Sequence, residues 1–393
     1  MSRLLYYTAF AVPALAGFLL MHRYAWARLV RDTGLPPRWR RALTGLVLLL
    51  AALLVGVFVL ARYAPSGWLV HVVIDFGFAW LGFLFYLAVI LAALDVLGFA
   101  GRRLRKERSA EVDVGRRVFL ARAAAGVAAA GAGTVAIGGR RAAFEITKPE
   151  IPVRLARLPQ ELSGFRIAQL TDLHLGPILR ERFLETVVEE TNAARPDLIV
   201  VTGDLVDGTV EHLAPALAPL SKLRARCGIA FVTGNHEYYS GVEEWLEYLR
   251  ARDIRVLMNE RIAVGDVAAG GASFDLAGVP DHHGGRFHPE HEPDLERALL
   301  GRDADRELVV LAHQPIQIAL ARGRNVGLQL SGHTHGGQLW PFRALVAMTQ
   351  PFVTGFHRAE DGTQIYVSRG AGFWGPAMRV LEPAEIPTLI LTR

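Results

Sequence analysis

Cysteine is almost absent from this 393-residue chain, with Cys227 standing alone. That excludes an internal disulfide and a cysteine-built zinc site, so any metal must be held by oxygen and nitrogen donors. Charge is scarce as well, at 21% of residues, and three stretches carry none: Leu4–Met21, Ala42–Ala61 and Phe76–Leu94. Each is close to the ~20 residues a helix needs to cross a bilayer. No repeat at solenoid spacing is visible, and the one low-complexity tract is an alanine- and glycine-rich segment before residue 140, which excludes a repeat architecture.

Hydrophobic residues make up 51% of the chain and the mean hydropathy is +0.26, too apolar for an ordinary soluble enzyme. The excess is confined to the first part. Beyond residue 150 short apolar runs alternate with Gly, Pro and Asp, the texture of a globular α/β domain. The expected organisation is a polytopic transmembrane region of three helices over 1–110, a signal-like or fourth membrane segment with linker over 111–145, and a globular domain over 146–393. The formal net charge of +5 raises the question of nucleic acid, but the basic residues crowd into N-terminal loops such as RRLRKER at 102–108. Charge flanking membrane spans accounts for that distribution, and no nucleic-acid partner is expected.

Several apolar runs in the second part end in a polar cluster. RIAQL leads into Asp172 and His174, DLIVVTG into Asp204 with Asp207 three residues on, and IAFVTG into Asn235, His236 and Glu237. ELVVLA ends at His313, and VGLQLSG at His333 and His335. In open α/β sheets the loops at the carboxyl ends of strands converge on one crevice, so these five ends imply one shared site. In extended backbone i and i+2 point the same way, which would let His333 and His335, or Asp172 and His174, face a common centre. Taken singly each fragment has a plainer reading: Asp172 or Asp204 as a helix cap, Asn235 as a turn former, His313 as a core histidine. Together, with Gly placed where the backbone must turn, they point to a metal centre.

In order, DLH, GDLVD, GNHE, AHQP and GHTH resemble the motif series of the calcineurin-like metallophosphoesterase family, over about residue 150 to the C-terminus. VTGDLVDG, GNHEYYSG, SGHTHGGQLWPF and SRGAGFWGP are similar to its bacterial membrane-attached or exported branch. The resemblance implies a four-layer α/β/β/α sandwich, here preceded by a helical transmembrane region. It implies one divalent metal held by Asp172, His174, Asp204 and His335, and a second by Asp204, Asn235, His313 and His333. Mixed N/O ligation admits Mn, Fe, Zn, Co or Mg. His236 would act at the metal edge as a proton donor or phosphate contact, with Asp207 orienting neighbouring groups. The implied activity is phosphomonoester, phosphodiester or pyrophosphate hydrolysis; lipid-linked or envelope molecules, such as the UDP-diacylglucosamine type, suit an enzyme confined near a bilayer. A membrane sensor whose phosphatase-like domain only recognises a phosphorylated ligand is the rival reading.

Three features stay open at this level. Arg369, after the run IYVS, could contact phosphate or form a structural ion pair. The histidine-rich stretch PDHHGGRFHPEH at 280–291 reads as a solvated loop, a substrate mouth or an adventitious ion site. Asp75 and Asp95 bracket the third span, near the interfaces or on an ion pathway. The segment between the first two spans carries six arginines and RYAPSG between the next two carries one, which places the first and third loops inside and the N-terminus outside. GRRVFLARAAAGVAAAGAGTVAIGG then resembles a twin-arginine export signal around Arg116 and Arg117, with Ala123–Gly139 as a fourth crossing; a cytoplasmic alanine-rich helix is the alternative. The expected location is the cytoplasmic membrane, multi-pass, with the metal domain outside.

Overall fold

The computed structural model describes residues 3–63, 67–104, 113–266 and 270–393 and divides into two compact units, Met1–Arg141 with Gly375–Met378, and Ala142–Trp374 with Arg379–Arg393.

The first unit holds four long helices: α1 (Arg3–Trp26), α2 (Pro37–Tyr63), α3 (Trp68–Leu104) and α4 (Val114–Ala142). Among the described residues Pro37–Ala61, Trp68–Gly101 and Val114–Ala142 are long and apolar enough to cross a membrane. Leu4–Met21 lies within α1, and the side chains of residues 3–11 lie outside the described residues. So do residues 105–112, which include most of the RRLRKER run. Polar contacts fix the helix directions. Tyr24 at the end of α1 donates to Asp95 late in α3 at 2.7 Å, and Arg28 pairs with the same carboxylate. Arg122, early in α4, donates to the carbonyls of Thr33 and Gly34 at 2.9 and 3.4 Å, just before α2. Arg140, late in α4, forks onto Asp75 near the start of α3 at 2.8 and 2.9 Å. Thus α1 and α3 run one way, α2 and α4 the other, and both aspartates that bracket the third apolar stretch, Asp75 and Asp95, are ion-paired.

The second unit is built on two six-stranded sheets. In spatial order the first comprises Glu150–Arg154, Thr388–Thr392, Phe165–Leu170, Leu198–Thr202, Ile229–Val232 and Ile254–Val256; the second comprises Gly355–Arg358, Gln364–Val367, Leu328–Ser331, Leu308–Leu311, Ser273–Gly278 and Glu260–Gly265. The period-2 alternation of strand side chains sets the layers. Leu198 and Val200 join Leu276, Val309, Leu328 and Leu330 between the sheets. Ile199 and Val201 point the other way, against Leu184, Val187, Val188, Trp245 and Leu249 of the covering helices. Behind the second sheet Ala277, Leu308 and Val310 pack on Leu295 and Ala298. The result is the expected α/β/β/α sandwich. Strands buried on both faces read as continuous apolar runs, which is why LIVV and LVVL show no polar alternation.

Phe165–Leu170, Leu198–Thr202 and Ile229–Val232 pair in parallel in one sheet, as do Leu308–Leu311 and Leu328–Ser331 in the other. Within each sheet the motif-bearing carboxyl ends therefore emerge along one edge.

Candidate metal centre

The chain leaves these strand ends in a conformation the sequence does not announce. Asp172 (φ 53°), His174 (φ 46°), Asp204 (φ 53°), His333 (φ 70°) and His335 (φ 50°) are all left-handed, a state costing a non-glycine residue about 1–2 kcal/mol. The extended i, i+2 arrangement expected for the two pairs is therefore not what forms: the strand leading to GHTH ends at Ser331 and His335 opens a 3₁₀ turn. Glycine is required at two close approaches. A Cβ on Gly234 would lie 2.2 Å from Asp204 Oδ1, and one on Gly332 would lie 2.1 Å from Thr171 Oγ1.

The turns gather the candidate ligands into two adjoining clusters, Asp172 with His174 and His335, and Asp204 with His313 and His333. His333 and His335, two residues apart, thus serve different clusters. In the first, His174 Nε2 and His335 Nε2 face each other at 3.1 Å, and His335 Nε2 is 3.4 Å from Asp172 Oδ1. In the second, His313 Nε2 lies 3.1 Å from Asp204 Oδ2. The same Asp204 oxygen is 3.9 Å from His174 Nε2, so Asp204 stands between the clusters. Donors about 2.1 Å from a common cation sit roughly 3.0 to 3.4 Å apart in octahedral or tetrahedral arrangement; the His174–His335, His335–Asp172 and His313–Asp204 spacings fall there, while His174 stands 3.9 and 4.0 Å from Asp204 and Asp172.

Hydrogen bonding prepares the same atoms. His313 Nδ1 donates to the Thr202 carbonyl at 2.7 Å, which turns Nε2 toward Asp204. His174 Nδ1 contacts Asp207 at 3.2 and 3.3 Å, which leaves Nε2 as its inward lone pair. Asn235 Oδ1 and His313 Nε2 are buried without a hydrogen-bond partner, a cost of about 1–3 kcal/mol each that a cation would remove. The donor set therefore fits a divalent metal centre. Burial, with His313 beside it, pushes His333 down to about 3, and burial beside His174 pushes His335 well below its ordinary value; both rings are neutral, as ligation requires. Burial also opposes charge on Asp204, yet His313, His236 and His174 hold its carboxyl well below the usual range.

At the edge of the clusters His236 Nδ1 bonds Asp207 Oδ1, and its backbone N–H donates to Asp204 Oδ1 at 2.8 Å. Burial works against charge on this ring, but Asp207 and Asp204 carry it up to about 9. Asp207 thus braces two histidines and belongs to neither metal cluster with Asp172 or Asp204. Arg369 pairs with the buried Glu385, which also accepts from Tyr366 at 3.1 Å and from the Arg369 N–H at 3.0 Å. Of the two readings of Arg369, this geometry supplies the ion pair.

Two residues without an assigned role turn out to hold the centre together. Glu237 accepts from the N–H groups of Asp204 (3.0 Å), Leu205 (2.7 Å) and Gly234 (2.6 Å), pinning two ligand loops to each other. Burial, and Asp204 nearby, raise its pKa to about 7. Arg379, only 1% exposed, donates to the carbonyls of His335, Arg369, Gly370, Gly372 and Glu382. Its burial lowers its pKa to about 10. A glutamate inside GNHE hinted at the first; nothing local to MRVL, where Arg379 sits, marks the second.

The calcineurin-like phosphoesterase family model matches residues 165–337, from the first ligand-bearing strand through the GHTHGG turn. The chain is 40% identical over 243 residues to an uncharacterized metallophosphoesterase of Helicobacter pylori, covering 62% of this chain and 63% of that protein, so it spans somewhat under two thirds of that relative's length. It is 33% identical over 385 residues to a transmembrane protein with metallophosphoesterase domain of Danio rerio, covering 95% of this chain and 86% of that one. The metallophosphoesterase YkuE of Bacillus subtilis is 32% identical over 291 residues, 70% of this chain and 97% of its own.

Proposed function

Since the chain belongs to the calcineurin-like metallophosphoesterase family, we propose that it is a membrane-anchored, dinuclear metal-dependent phosphoric ester hydrolase. One observation carries the reading: Asp204 Oδ2 lies 3.1 Å from His313 Nε2 and 3.9 Å from His174 Nε2, between two clusters of nitrogen and oxygen donors. Asp172, His174, Asp204 and His335 would hold one cation, and Asp204, Asn235, His313 and His333 the other. Two divalent cations held by these residues would supply Lewis-acid polarisation of a phosphoryl group and activation of water near neutral pH. The chain's own contribution is position and protons. Asp207 takes Nδ1 of His236, which leaves Nε2 as the ring nitrogen for substrate, and a ring titrating at about 9 is charged at neutral pH. It is suited to protonate the departing oxygen or to bind the phosphoryl charge.

For the substrate, phosphodiesters or pyrophosphates carrying a lipid are the class we favour. Trp340, Phe342, Leu345 and Met348 are exposed just beyond the GHTHGG turn, as is Trp374, whose ring lies 6.0 Å from that of His236. An apolar rim beside an ionic centre suits an amphiphile with a phosphate head. We further read α4 as a fourth crossing: its late Arg140 reaches Asp75 at the start of α3, which requires α4 to run back across the bundle. With the first and third loops inside, the chain leaves α4 on the outer face, and the metal domain is extracytoplasmic.

The full chain purified in detergent should hydrolyse bis(p-nitrophenyl) phosphate, lose activity on chelation and regain it with Mn²⁺ or Zn²⁺. Asp204→Asn should lower the content of both metals together. Binding of phosphate esters without turnover would favour a sensor. Two retained metal equivalents with normal turnover in Asp204→Asn would remove the bridging role.

A further inference from the structure

Among the described residues, one other group of side chains apart from the strand-end centre converges like a ligand set. His288 precedes the 3₁₀ turn Pro289–His291. His288, extended at the cap of this turn, and His291 are tilted against each other, with ring centroids 5.2 Å apart and planes 33° apart. Glu243 of the helix Val242–Arg250, Glu290 and His291 bring ligand atoms within 4.8 Å of one another, and His288 faces both carboxylates. His291 Nε2 lies 3.5 Å from Glu243 Oε1, while His288 Nδ1 lies 3.7 Å from Glu243 Oε1 and 3.6 Å from Glu290 Oε1.

These separations are too long for hydrogen bonds and match donors around one small cation. Bonds of about 2.1 Å at tetrahedral angles separate ligand atoms by roughly 3.4 Å. His291 supplies an independent sign. It is 8% exposed, its Nδ1 is buried with no hydrogen-bond partner, and its Nε2 is the nitrogen turned toward Glu243. Tyr238 walls this side, its ring 5.7 Å from that of His291 and 6.4 Å from that of His288. An apolar wall strengthens cation binding by excluding competing water.

We infer that Glu243, His288, Glu290 and His291 bind a transition-metal ion of the zinc type, separate from the strand-end centre. Two imidazoles and two carboxylates make a set of intermediate softness that prefers Zn²⁺, Ni²⁺ or Co²⁺ to Mg²⁺ or Ca²⁺. The ion clips the 280–291 loop to the helix Val242–Arg250, two segments with no strand pairing between them.

The test counts metal in the full chain in detergent, stripped with chelator and dialysed against buffered Zn²⁺. Wild type should hold one Zn²⁺ equivalent more than Glu243→Gln/Glu290→Gln. The same difference of one should persist in an Asp204→Asn background, where the strand-end metals are depleted. Glu243→Gln alone, at an exposed residue, should weaken that equivalent by about tenfold or more, a lower bound set by losses on removing mere supporting partners, and leave diester hydrolysis at the wild-type rate. Equal Zn²⁺ content and affinity in wild type and both variants would overturn the site, and a Ca²⁺ equivalent in place of Zn²⁺ would overturn its assignment to a transition metal.

Discussion

His236 differs from the other histidines of the centre in having both a carboxylate on Nδ1 and an elevated pKa of about 9. His236→Ala should keep both metals and lower kcat by about 10²- to 10⁴-fold, the usual worth of a positioned acid. The deficit should shrink for substrates with good leaving groups; equal losses for good and poor ones would assign the residue to phosphate binding instead. At this scale the sequence was informative about identity and silent about conformation. Asp, Asn and His at strand ends are recognisable because few other roles need them there. The left-handed φ of Asp172, His174, Asp204, His333 and His335 has no such marker, since it is imposed by long-range contacts such as the His333 N–H on Asp172 at 3.0 Å.

Among the elements, the five ligand-bearing strands were legible as apolar runs ending in polar clusters, because burial on both faces forces continuous hydrophobicity. Their partition into two sheets was not. Thr388–Thr392 inserts between Glu150–Arg154 and Phe165–Leu170, a pairing more than two hundred residues apart that no local pattern encodes. Arg379 belongs to this scale because it ties the GHTH turn to the segment 369–372 and to Glu382 through five carbonyls and a 3.3 Å contact with His335 Nδ1. Lysine has one donor group where arginine has a planar fork, so Arg379→Lys should strand several buried carbonyls, at about 1–3 kcal/mol each. A lowered denaturation midpoint in detergent and weakened metal retention are expected; an unchanged midpoint with full metal content would show the carbonyl cradle to be dispensable.

For the whole molecule the decisive question is which face of the membrane the centre occupies. Protease added to intact spheroplasts should digest the metal domain, and Arg116→Lys with Arg117→Lys should leave it protected. Protection of the unmodified domain, while a known external marker is degraded, would put the centre in the cytoplasm and make α4 a surface helix. The apolar spans were plain in the sequence; the ion pairs Arg140–Asp75 and Arg28–Asp95 were not, because partners 65 and 67 positions apart are joined only by helix packing.

Each metal cluster takes donors from both sheets: Asp172 and His174 follow a strand of one and His335 a strand of the other, while Asp204 is likewise matched with His313 and His333. Synthesis runs from the N-terminus, so neither half of the centre can close until its histidine of the GHTH turn, His333 or His335, has left the ribosome, long after the helices up to Ala142 have emerged. The anchor is therefore committed to the bilayer before the cargo can be charged. A stall or truncation between Asn235 and GHTH leaves a protein that holds aspartates, an asparagine and an early histidine but no finished site, which makes a closed centre a built-in proof that translation passed the GHTH turn.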